Sequence, residues 1–325
     1  NFARNFSKLS CAYPSPDVIV LADPALFTST YVVAYVKKAG CKLIVDILDL
    51  WPELFHLILP RPLAWIGSIL FAPLYRKRAW LLRQADGIVA VSKNYLDMAL
   101  RAAPKASGDI FYLGIDLEDF HKALANKNVL ADVELPVKAP EDSWVIYAGT
   151  LGINYDIKTI VDSARIFKKI DDTIQFIIVG EGPLRSMVVD AINEEKLCNI
   201  NYLGVLSTDQ LNALYGRCDI ALSTYRGLST VSMPVKAFDY LAAGLPVVNS
   251  LGKDWGELIA DKQLGVKYTP EDANSLVQAI KLLHLNKDSS QKMRNNLLMC
   301  AKAFNTATIY PNYVVYIENI TENRV

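Results

Sequence analysis

The stretch Trp144-Val-Ile-Tyr-Ala148, followed at once by Gly149-Thr150-Leu151-Gly152, decides the fold class of this chain. A run of five apolar residues bounded by a glycine turn indicates a buried strand. A helical pattern follows at 156–169, and the same order returns at 174–179, where the apolar run ends in Gly180-Glu181-Gly182. Strands that alternate with helices predict an α/β fold with a parallel sheet covered on both faces.

The second half of the chain continues this alternation to its end. We predict six strands, at 144–148, 174–179, 201–203, 219–223, 246–249 and 265–268. Helical patterns lie near 156–169, 183–195, 207–215, 235–243, 254–260, 271–284, 288–303 and 309–322. Residues 144–305 are therefore interpreted as a complete doubly wound parallel-sheet domain.

The first half, 1–121, is a shorter version of the same pattern. We predict strands at 17–21, 41–48, 87–91 and 111–115, and helices at 25–39, 61–84 and 93–103. No glycine-rich loop opens this half, and a full doubly wound domain would carry a further strand, turn and helix upstream. We expect this first domain to be incomplete at its N-terminus. Residues 122–143, which are rich in Lys, Asn and Pro, are interpreted as the linker.

Composition excludes several classes of protein. The chain has 325 residues, enough for two domains, with Lys+Arg 34 against Asp+Glu 34. A neutral chain offers no general attraction for nucleic acid. The five cysteines form no Cys-x-x-Cys pair and there are only three histidines, which argues against a zinc module or a disulfide framework and suits a reducing cytoplasm. No apolar run is long enough to span a bilayer.

Two glycine-containing turns follow strands of the second domain, at Gly149–Gly152 and at Gly180–Gly182. Because ligands of open parallel sheets bind beyond the carboxyl ends of the strands, these turns are candidates for binding a phosphate. The alternative is that each glycine only permits a tight turn. A dinucleotide site is not supported, since Arg185 stands where the third glycine of G-x-G-x-x-G belongs and no acidic residue ends the following strand at Leu203. The chain has no Asp-x-Asp pair, so we expect no metal-bridged diphosphate.

The stretch 229–248 contains a cation and a carboxylate at the start of a predicted helix. Pro234 favours a helix start. Lys236 then lies in the first turn, where a cation opposes the helix dipole unless an anion is bound beside it. Asp239 lies three residues on, on the same face, and a carboxylate can accept hydrogen bonds from a ribose diol. The alternative is an exposed ion pair between Lys236 and Asp239.

Several stretches, in their order and spacing along the chain, carry a resemblance to one family. They are Asp46-Ile-Leu-Asp49-Leu-Trp-Pro-Glu53, Asp86–Ser92, Gly114-Ile-Asp116, Tyr147-Ala-Gly-Thr-Leu-Gly152, Val179-Gly-Glu-Gly-Pro-Leu-Arg185, Tyr202-Leu-Gly-Val-Leu206 and Pro234-x-Lys-x-Phe-Asp-Tyr-Leu-Ala-Ala-Gly244-x-Pro-Val-Val248. Together they resemble retaining GT-B glycosyltransferases of glycosyltransferase family 4, and most of all the branch that builds bacterial surface polysaccharides.

The resemblance implies a fold and an activity. The fold is two doubly wound domains facing across a cleft, with 1–121 on the acceptor side, 144–305 binding the donor, and the helix at 309–322 packing back on the first domain. The activity is transfer of a sugar from a nucleoside-diphosphate sugar, with retention and without metal, to a glycolipid or polysaccharide. No cofactor is implied, and UDP is the expected nucleotide.

The resemblance also implies roles for individual residues of the donor domain. Asp239 would hold the donor ribose, and Lys236 the diphosphate. The remaining donor residues are Gly149 and Thr150 at the diphosphate, Gly180, Glu181 and Gly182 along the nucleotide cleft, and Val205 and Leu206 at the base.

The sequence departs from the family at two places that concern the reaction. Val231 stands where the first Glu of the family's Glu-x7-Glu motif contacts the transferred sugar, and Leu48 stands where many members place a His. Asp49 or Glu53 is then the candidate to position or deprotonate the acceptor. The alternative for both is a structural role, as a strand-end cap or in a solvated turn.

Residues 54–85 contain cations and tryptophans but no acidic residue. An apolar segment with flanking cations and Trp suits an anionic membrane surface. The expected contacts are Trp65, Arg76, Lys77, Arg78 and Trp80. We therefore expect a cytoplasmic protein, peripheral at the inner face of the plasma membrane. The alternative is a core helix with a solvated basic end.

Two main alternatives and one weak one remain open at this point. One is a non-catalytic nucleotide-binding or scaffold subunit of a glycan-assembly complex, which Val231 favours. The other is a sugar-nucleotide 2-epimerase of the same fold, which the remnant of the Glu-x7-Glu motif disfavours. A hydride-transfer enzyme is the weakest alternative because the dinucleotide fingerprint is absent. If the first domain lacks a segment, a partner chain would complete it.

Overall fold

A computed structural model describes residues 5–6, 9–53, 55, 64–171 and 173–322 of the chain. The chain divides into two compact units. The first unit consists of residues 1–113 and 307–325, and the second of residues 114–306. Among the described residues, no helix is both long enough and apolar enough to cross a bilayer.

The first unit is built on a parallel sheet of four strands. They are β1 (Val18–Asp23), β2 (Lys42–Ile47), β3 (Gly87–Ala90) and β4 (Ser107–Ile110), and they lie side by side in chain order. The helices of this unit are α1 (Ser29–Ala39), α2 (Ala64–Leu70), α3 (Ala72–Leu82), α4 (Lys93–Ala102) and α13 (Thr306–Glu322), the last of which begins at the boundary between the units.

Both faces of this sheet are covered. On one face, residues of α1, α3 and α4 pack against the strands in one apolar cluster that includes Val33, Leu81 and Tyr95. On the other face, Ile320 of α13 packs against Ile44 and Val89. The two central strands, β2 and β3, therefore alternate between two covered faces, which explains their continuous apolar runs.

Two element predictions for this unit were wrong in detail. The fourth strand forms at Ser107–Ile110 and not at 111–115, because Phe111 leaves the sheet to stack on Tyr313, with ring centroids 4.8 Å apart. The predicted helix at 61–84 is broken at Phe71, and α3 restarts with Pro73 in its first turn, where the missing N–H is tolerated. Residues 61–63 lie outside the described part.

The second unit is a parallel sheet of six strands, which confirms the predicted fold. The strands are β5 (Ser143–Ala148), β6 (Ile174–Val179), β7 (Ile200–Tyr202), β8 (Ile220–Ser223), β9 (Val247–Asn249) and β10 (Gly265–Lys267). Their order in the sheet is β10-β9-β8-β5-β6-β7. Successive strands are therefore added on one side of β5 up to β7 and on its other side from β8 onward, although all of them run parallel. Such a switch point is where doubly wound sheets bind ligands.

Eight helices of the described residues flank this sheet. They are α5 (Leu117–Ala125), α6 (Ile157–Ile170), α7 (Arg185–Asn193), α8 (Thr208–Tyr215), α9 (Lys236–Ala243), α10 (Lys253–Lys262), α11 (Ala273–Leu285) and α12 (Lys287–Ala301). Helix α5 packs on α8. The segment 122–143, interpreted above as a linker, therefore belongs to this unit, and it contains the end of α5 and a short 3-10 turn at Lys127–Leu130.

Candidate functional site

Three strand-end turns of the second unit, those after β5, β6 and β7, are joined by main-chain hydrogen bonds. Gly180 N–H donates to Gly204 O at 2.7 Å, and Leu151 N–H donates to Glu181 O at 2.9 Å. Gly149, Gly180 and Gly182 have φ of +141°, +129° and +154°. A Cβ on Gly182 would lie 2.5 Å from Leu151 O, so side chains are excluded here by space as well as by conformation. At these glycines the carboxyl edge of β5 and β6 therefore exposes main-chain atoms without side chains.

Lys236 lies at this edge with its ammonium group enclosed. Nζ is buried and has no hydrogen-bond partner among the described residues. It lies over the ring of Tyr147 at 4.2 Å, of Tyr155 at 4.9 Å and of Tyr225 at 5.5 Å from the centroids. A Cβ on Gly149 would lie 2.9 Å from Nζ, which places the ammonium directly beside the first turn.

Burial shifts the pKa values of Lys236 and Asp239 in opposite directions. Loss of water lowers the pKa of Lys236 to about 7, an effect that the nearby Asp239 partly offsets. Loss of water also raises the pKa of Asp239 to about 7, and Lys236 partly offsets that shift. Nζ of Lys236 is buried and has no hydrogen-bond partner among the described residues, so the alternative of an exposed Lys236–Asp239 ion pair is not what is observed. Burying an ammonium without a partner costs free energy, and an anion beside it would offset that cost.

The turn after β6 presents a carboxylate held by two neighbours. The Tyr202 hydroxyl lies 3.0 Å from both Glu181 Oε2 and Gly180 O. Arg185 Nε lies 3.6 Å from the same carboxylate oxygen, in a pair that is more than half exposed. In the next turn Gly204 has φ +67°, and Val205 is exposed. These residues line the same edge as Gly149, because Gly180 contacts both Gly149 and Gly204.

The loop before α9 is fixed to the start of α10. Lys253 Nζ donates to Thr230 O at 2.9 Å, and Trp255 N–H donates to Ser232 O at 3.0 Å. The N–H of Val231 donates to Ser229 Oγ at 3.3 Å. The loop that carries Val231 is therefore held in place at both ends, although its side chain supplies no polar group.

In the first unit, Asp49 and Glu53 have different surroundings. Asp49 follows β2 at an exposed position, where partial burial raises the pKa of its carboxyl. Glu53 accepts two hydrogen bonds from Arg78 Nη1, at 3.2 and 3.0 Å. Arg78 is itself only 4% exposed and lies 3.5 Å from the buried Asp23. Glu53 therefore has a structural partner in Arg78.

The residues expected to contact a membrane differ in their exposure, because Arg78 takes part in the ion pairs with Glu53 and Asp23. The guanidinium of Arg78 is directed inward to Glu53 and Asp23, away from solvent. Arg76 is exposed and Lys77 half-exposed, whereas Trp80 packs on the core of the first unit. Trp65 belongs to α2, but its side chain lies outside the described part. At the end of α2, Ile69 is 70% exposed and Leu70 is 58% exposed.

The sequence reasoning did not identify the tyrosines around Lys236. Tyr147 is the next-to-last residue of β5, Tyr155 precedes α6, and Tyr225 follows β8. A signal was present, because all three tyrosines stand near the carboxyl ends of the two strands that flank the switch point. In the described residues no group of three His, Cys, Asp or Glu is placed to hold a metal ion.

Comparison with known proteins matches the second unit to one family. Residues 142–286 match the family described as Glycosyl transferases group 1. A chitobiosyldiphosphodolichol beta-mannosyltransferase of Eremothecium gossypii is 27% identical over 45% of this chain and 33% of its own length. A putative colanic acid biosynthesis glycosyl transferase, WcaI, of Escherichia coli is 23% identical over 82% of this chain and 66% of its own length. The chain thus spans about a third and about two thirds of these relatives.

A solved structure extends the likeness to the whole fold. Anabaena Alr3699/HepE, in complex with UDP, superposes with a TM-score of 0.76 at 14% identity, over 98% of this chain and 82% of that chain. At this identity the likeness concerns the fold, which is GT-B. Over residues 142–286 the chain is therefore similar to the group 1 glycosyltransferases.

Proposed function

We propose that this protein transfers a sugar from a nucleoside-diphosphate sugar, with retention and without metal, to a glycolipid or polysaccharide acceptor at a membrane surface. The observation that carries the proposal is the ammonium of Lys236, buried without a hydrogen-bond partner against Gly149. An anion beside this group would satisfy both the unpaired cation and the glycine turn.

Each donor-site residue has a role in this proposal. The diphosphate lies against Gly149, Thr150 and the Lys236 ammonium. The ribose hydroxyls donate to Asp239. Gly180, Glu181 and Gly182 line the nucleotide, and main-chain groups of Val205 and Leu206 contact the base. Positive charge and backbone donors stabilise the leaving diphosphate as the sugar–oxygen bond breaks, which is the electrostatic contribution such a step requires.

The acceptor side of the proposal rests on Asp49. Its carboxyl is exposed and its pKa is raised, so it is the better candidate to accept the acceptor's proton. Glu53 is engaged with Arg78 and acts in this proposal by fixing the turn after β2. The acceptor hydroxyl attacks on the face from which the diphosphate departs, which retains the anomeric configuration.

The relatives support the choice of substrates. The Anabaena protein is described in complex with UDP, which favours UDP as the nucleotide. The name of the Eremothecium relative describes a dolichol-diphosphate-linked acceptor, and that of the Escherichia relative describes colanic acid biosynthesis. Both favour a lipid-linked or polysaccharide acceptor for this protein.

The donor site is tested by a thermal-shift panel of UDP, GDP, dTDP and ADP, with NAD as the dinucleotide control, each with and without Mg²⁺. A nucleoside diphosphate at about 100 times its Kd stabilises the folded state by about 2.7 kcal/mol. We expect one nucleotide to raise the melting temperature without Mg²⁺ and Asp239→Ala to abolish that rise. Asp209→Ala is the matched control, because Asp209 is an exposed acid in the first turn of α8. A shift by NAD alone, or by no ligand, would contradict the proposal.

The membrane location is tested separately. Arg76 and Lys77 are accessible cations on α3, and exposed Ile69 and Leu70 end α2. We expect the protein to sediment with vesicles that contain anionic lipid and the double variant Arg76→Glu, Lys77→Glu to remain in the supernatant. Equal sedimentation of both proteins would remove this part of the proposal and leave the donor site intact.

A nucleotide-binding subunit without transfer activity is the second candidate. It is favoured by Val231, which offers no polar group to the transferred sugar although its loop is fixed. We expect wild type to hydrolyse or transfer the bound nucleotide-sugar. Binding without turnover, with turnover appearing in Val231→Glu, would favour the subunit.

A further inference from the structure

Three tyrosines from separate parts of the second unit converge on one ammonium group. Tyr147 comes from β5, Tyr155 from the turn before α6 and Tyr225 from the segment after β8. The rings of Tyr147 and Tyr155 meet edge to face at 6.2 Å, and those of Tyr155 and Tyr225 lie 5.1 Å apart. Tyr155 and Tyr225 also form a backbone bridge. We call these three residues the tyrosine cage.

The cage holds Lys236 by the faces of its rings. A cation over an aromatic face is attracted by the negative charge of that face, and the attraction grows when water is excluded. Nζ is buried and has no hydrogen-bond partner in the described part of the chain. The ring faces therefore attract the positive charge of Lys236. Nζ has no hydrogen-bonded anion among the described residues that a ligand would have to displace. The three N–H donors of the ammonium stay available for a ligand.

The cage is itself fixed to the first glycine turn. The Tyr147 hydroxyl donates to Thr150 O at 2.8 Å, so the ring is tied to the residue that follows Gly149. Tyr147 and Tyr225 are both buried, and the hydroxyl of Tyr240 on α9 donates to Leu222 O at 3.0 Å, tying the helix of Lys236 to β8. The side-chain nitrogen of Lys236 is thereby held at Gly149 in the absence of any ligand.

We infer that Tyr147, Tyr155 and Tyr225 are positioning residues, whose ring faces hold the Lys236 ammonium ready for the diphosphate of the donor. This inference rests on the proposed function, since it names the device that orders the cation of that site. It predicts that the rings matter for nucleotide affinity only through Lys236, and that the ring faces matter more than the hydroxyls.

Tyr155 is the residue to vary, because it is only partly buried and its replacement disturbs the core least. Tyr155→Phe keeps the ring face, and Tyr155→Leu removes it. The measurement is the Kd for UDP by calorimetry at pH 7.5. We expect Tyr155→Phe to bind within about twofold of wild type and Tyr155→Leu about tenfold more weakly, equal to about 1.4 kcal/mol.

A double-mutant cycle separates positioning from a general structural role. Lys236→Met removes the cation but keeps an unbranched side chain in the cage. We expect Tyr155→Leu to cause no further loss of UDP affinity in the Lys236→Met protein. An equal loss in both backgrounds would overturn the inference, because the ring would then support the site without acting on the cation.

The other outcomes distinguish the inference from the proposed function. Suppose wild type binds UDP and Lys236→Met weakens it, but Tyr155→Leu binds normally. The donor site then stands and the tyrosine cage fails. If wild type binds none of UDP, GDP, dTDP and ADP, both fail. If Tyr225→Leu folds, Tyr225→Phe and Tyr225→Leu repeat the comparison of UDP affinities. If it does not fold, the comparison of Tyr155→Phe with Tyr155→Leu decides whether the inference stands.

Discussion

A Cβ atom on Gly180 would lie 2.0 Å from the carbonyl oxygen of Gly149. The turn after β6 therefore rests directly on the turn after β5, with no room for a side chain between them. Because Gly180 also has φ +129°, an L-residue there is strained even before the clash is counted. The edge that the proposed donor site uses exists only with glycine at this position.

Gly180→Ala is expected to lower the free energy of unfolding by about 2–4 kcal/mol, because the strand-end turns must separate to admit the methyl group. The same movement displaces Gly149 from the Lys236 ammonium, so UDP affinity should fall more than about tenfold even where the protein remains folded. Urea denaturation and calorimetry measure the two effects.

Gly252→Ala is the matched control for that variant. Gly252 has φ −91° and no atom within 4 Å of the added Cβ. Its stability and UDP affinity should stay near wild type. If Gly180→Ala behaves like Gly252→Ala, the two turns are not as tightly joined as their main-chain contacts indicate.

The affinity for UDP should decrease as the pH rises from 7.5 to 9. Burial lowers the pKa of Lys236 to about 7, so the free protein loses this positive charge progressively above that pH. A bound diphosphate favours the ammonium, which raises its pKa, and binding must then take up a proton. Each pH unit should weaken UDP binding by up to about tenfold, since one proton is linked to the equilibrium.

Calorimetry in two buffers of different ionisation enthalpy measures this proton uptake. Lys236→Met should bind more weakly and show a flat profile over the same range. Asp239 also titrates near pH 7, but it is mostly ionised above 7.5 and so contributes little there. A wild-type profile as flat as that of Lys236→Met would exclude Lys236 as the titrating group.

Arg78→Met should destabilise the first unit by about 3–5 kcal/mol, because it leaves the buried Asp23 and the half-buried Glu53 without their cation. Arg76→Met, at an exposed position two residues earlier, should change stability by less than about 0.5 kcal/mol. Urea denaturation compares the two variants. Similar small losses in both would mean that the Arg78 cluster contributes little to the fold.

Tyr313→Phe should lower stability by about 1 kcal/mol, because the hydroxyl donates to Asp46 Oδ2 at 3.2 Å in a partly buried place. Burial already raises the pKa of Asp46, and the Tyr313 hydrogen bond opposes that rise by favouring the ionised form. The loss should therefore grow as the pH rises through the raised pKa of the folded Asp46 carboxyl, because the unfolded carboxyl titrates alike in both proteins.

Tyr310→Phe is the control for that measurement. Its hydroxyl donates to the carbonyl of Leu113 and no ionisable group is involved, so its effect should be small and independent of pH. Parallel pH profiles for the two variants would show that Asp46 does not carry the effect.

The sequence by itself determined the alternation of strands and helices and the place of each glycine turn. A buried strand is an unbroken apolar run, and a turn with positive φ selects glycine, so both features depend on neighbours along the chain. The same local rules put Lys236 and Asp239 at the start of a helix after Pro234. They did not find the fourth strand of the first unit, whose residues Ser107–Ile110 have little strand preference of their own.

Only the tertiary structure decided what surrounds the charged groups. Glu53 accepts a hydrogen bond from Arg78, 25 residues away. Lys236 lies over the rings of Tyr147, Tyr155 and Tyr225, which come from different parts of the chain. The pKa values of Lys236 and Asp239 follow from the loss of water there, which no spacing in the sequence encodes. The physical reason is that burial and charge pairing are set by distance in space, whereas sequence patterns report distance along the chain.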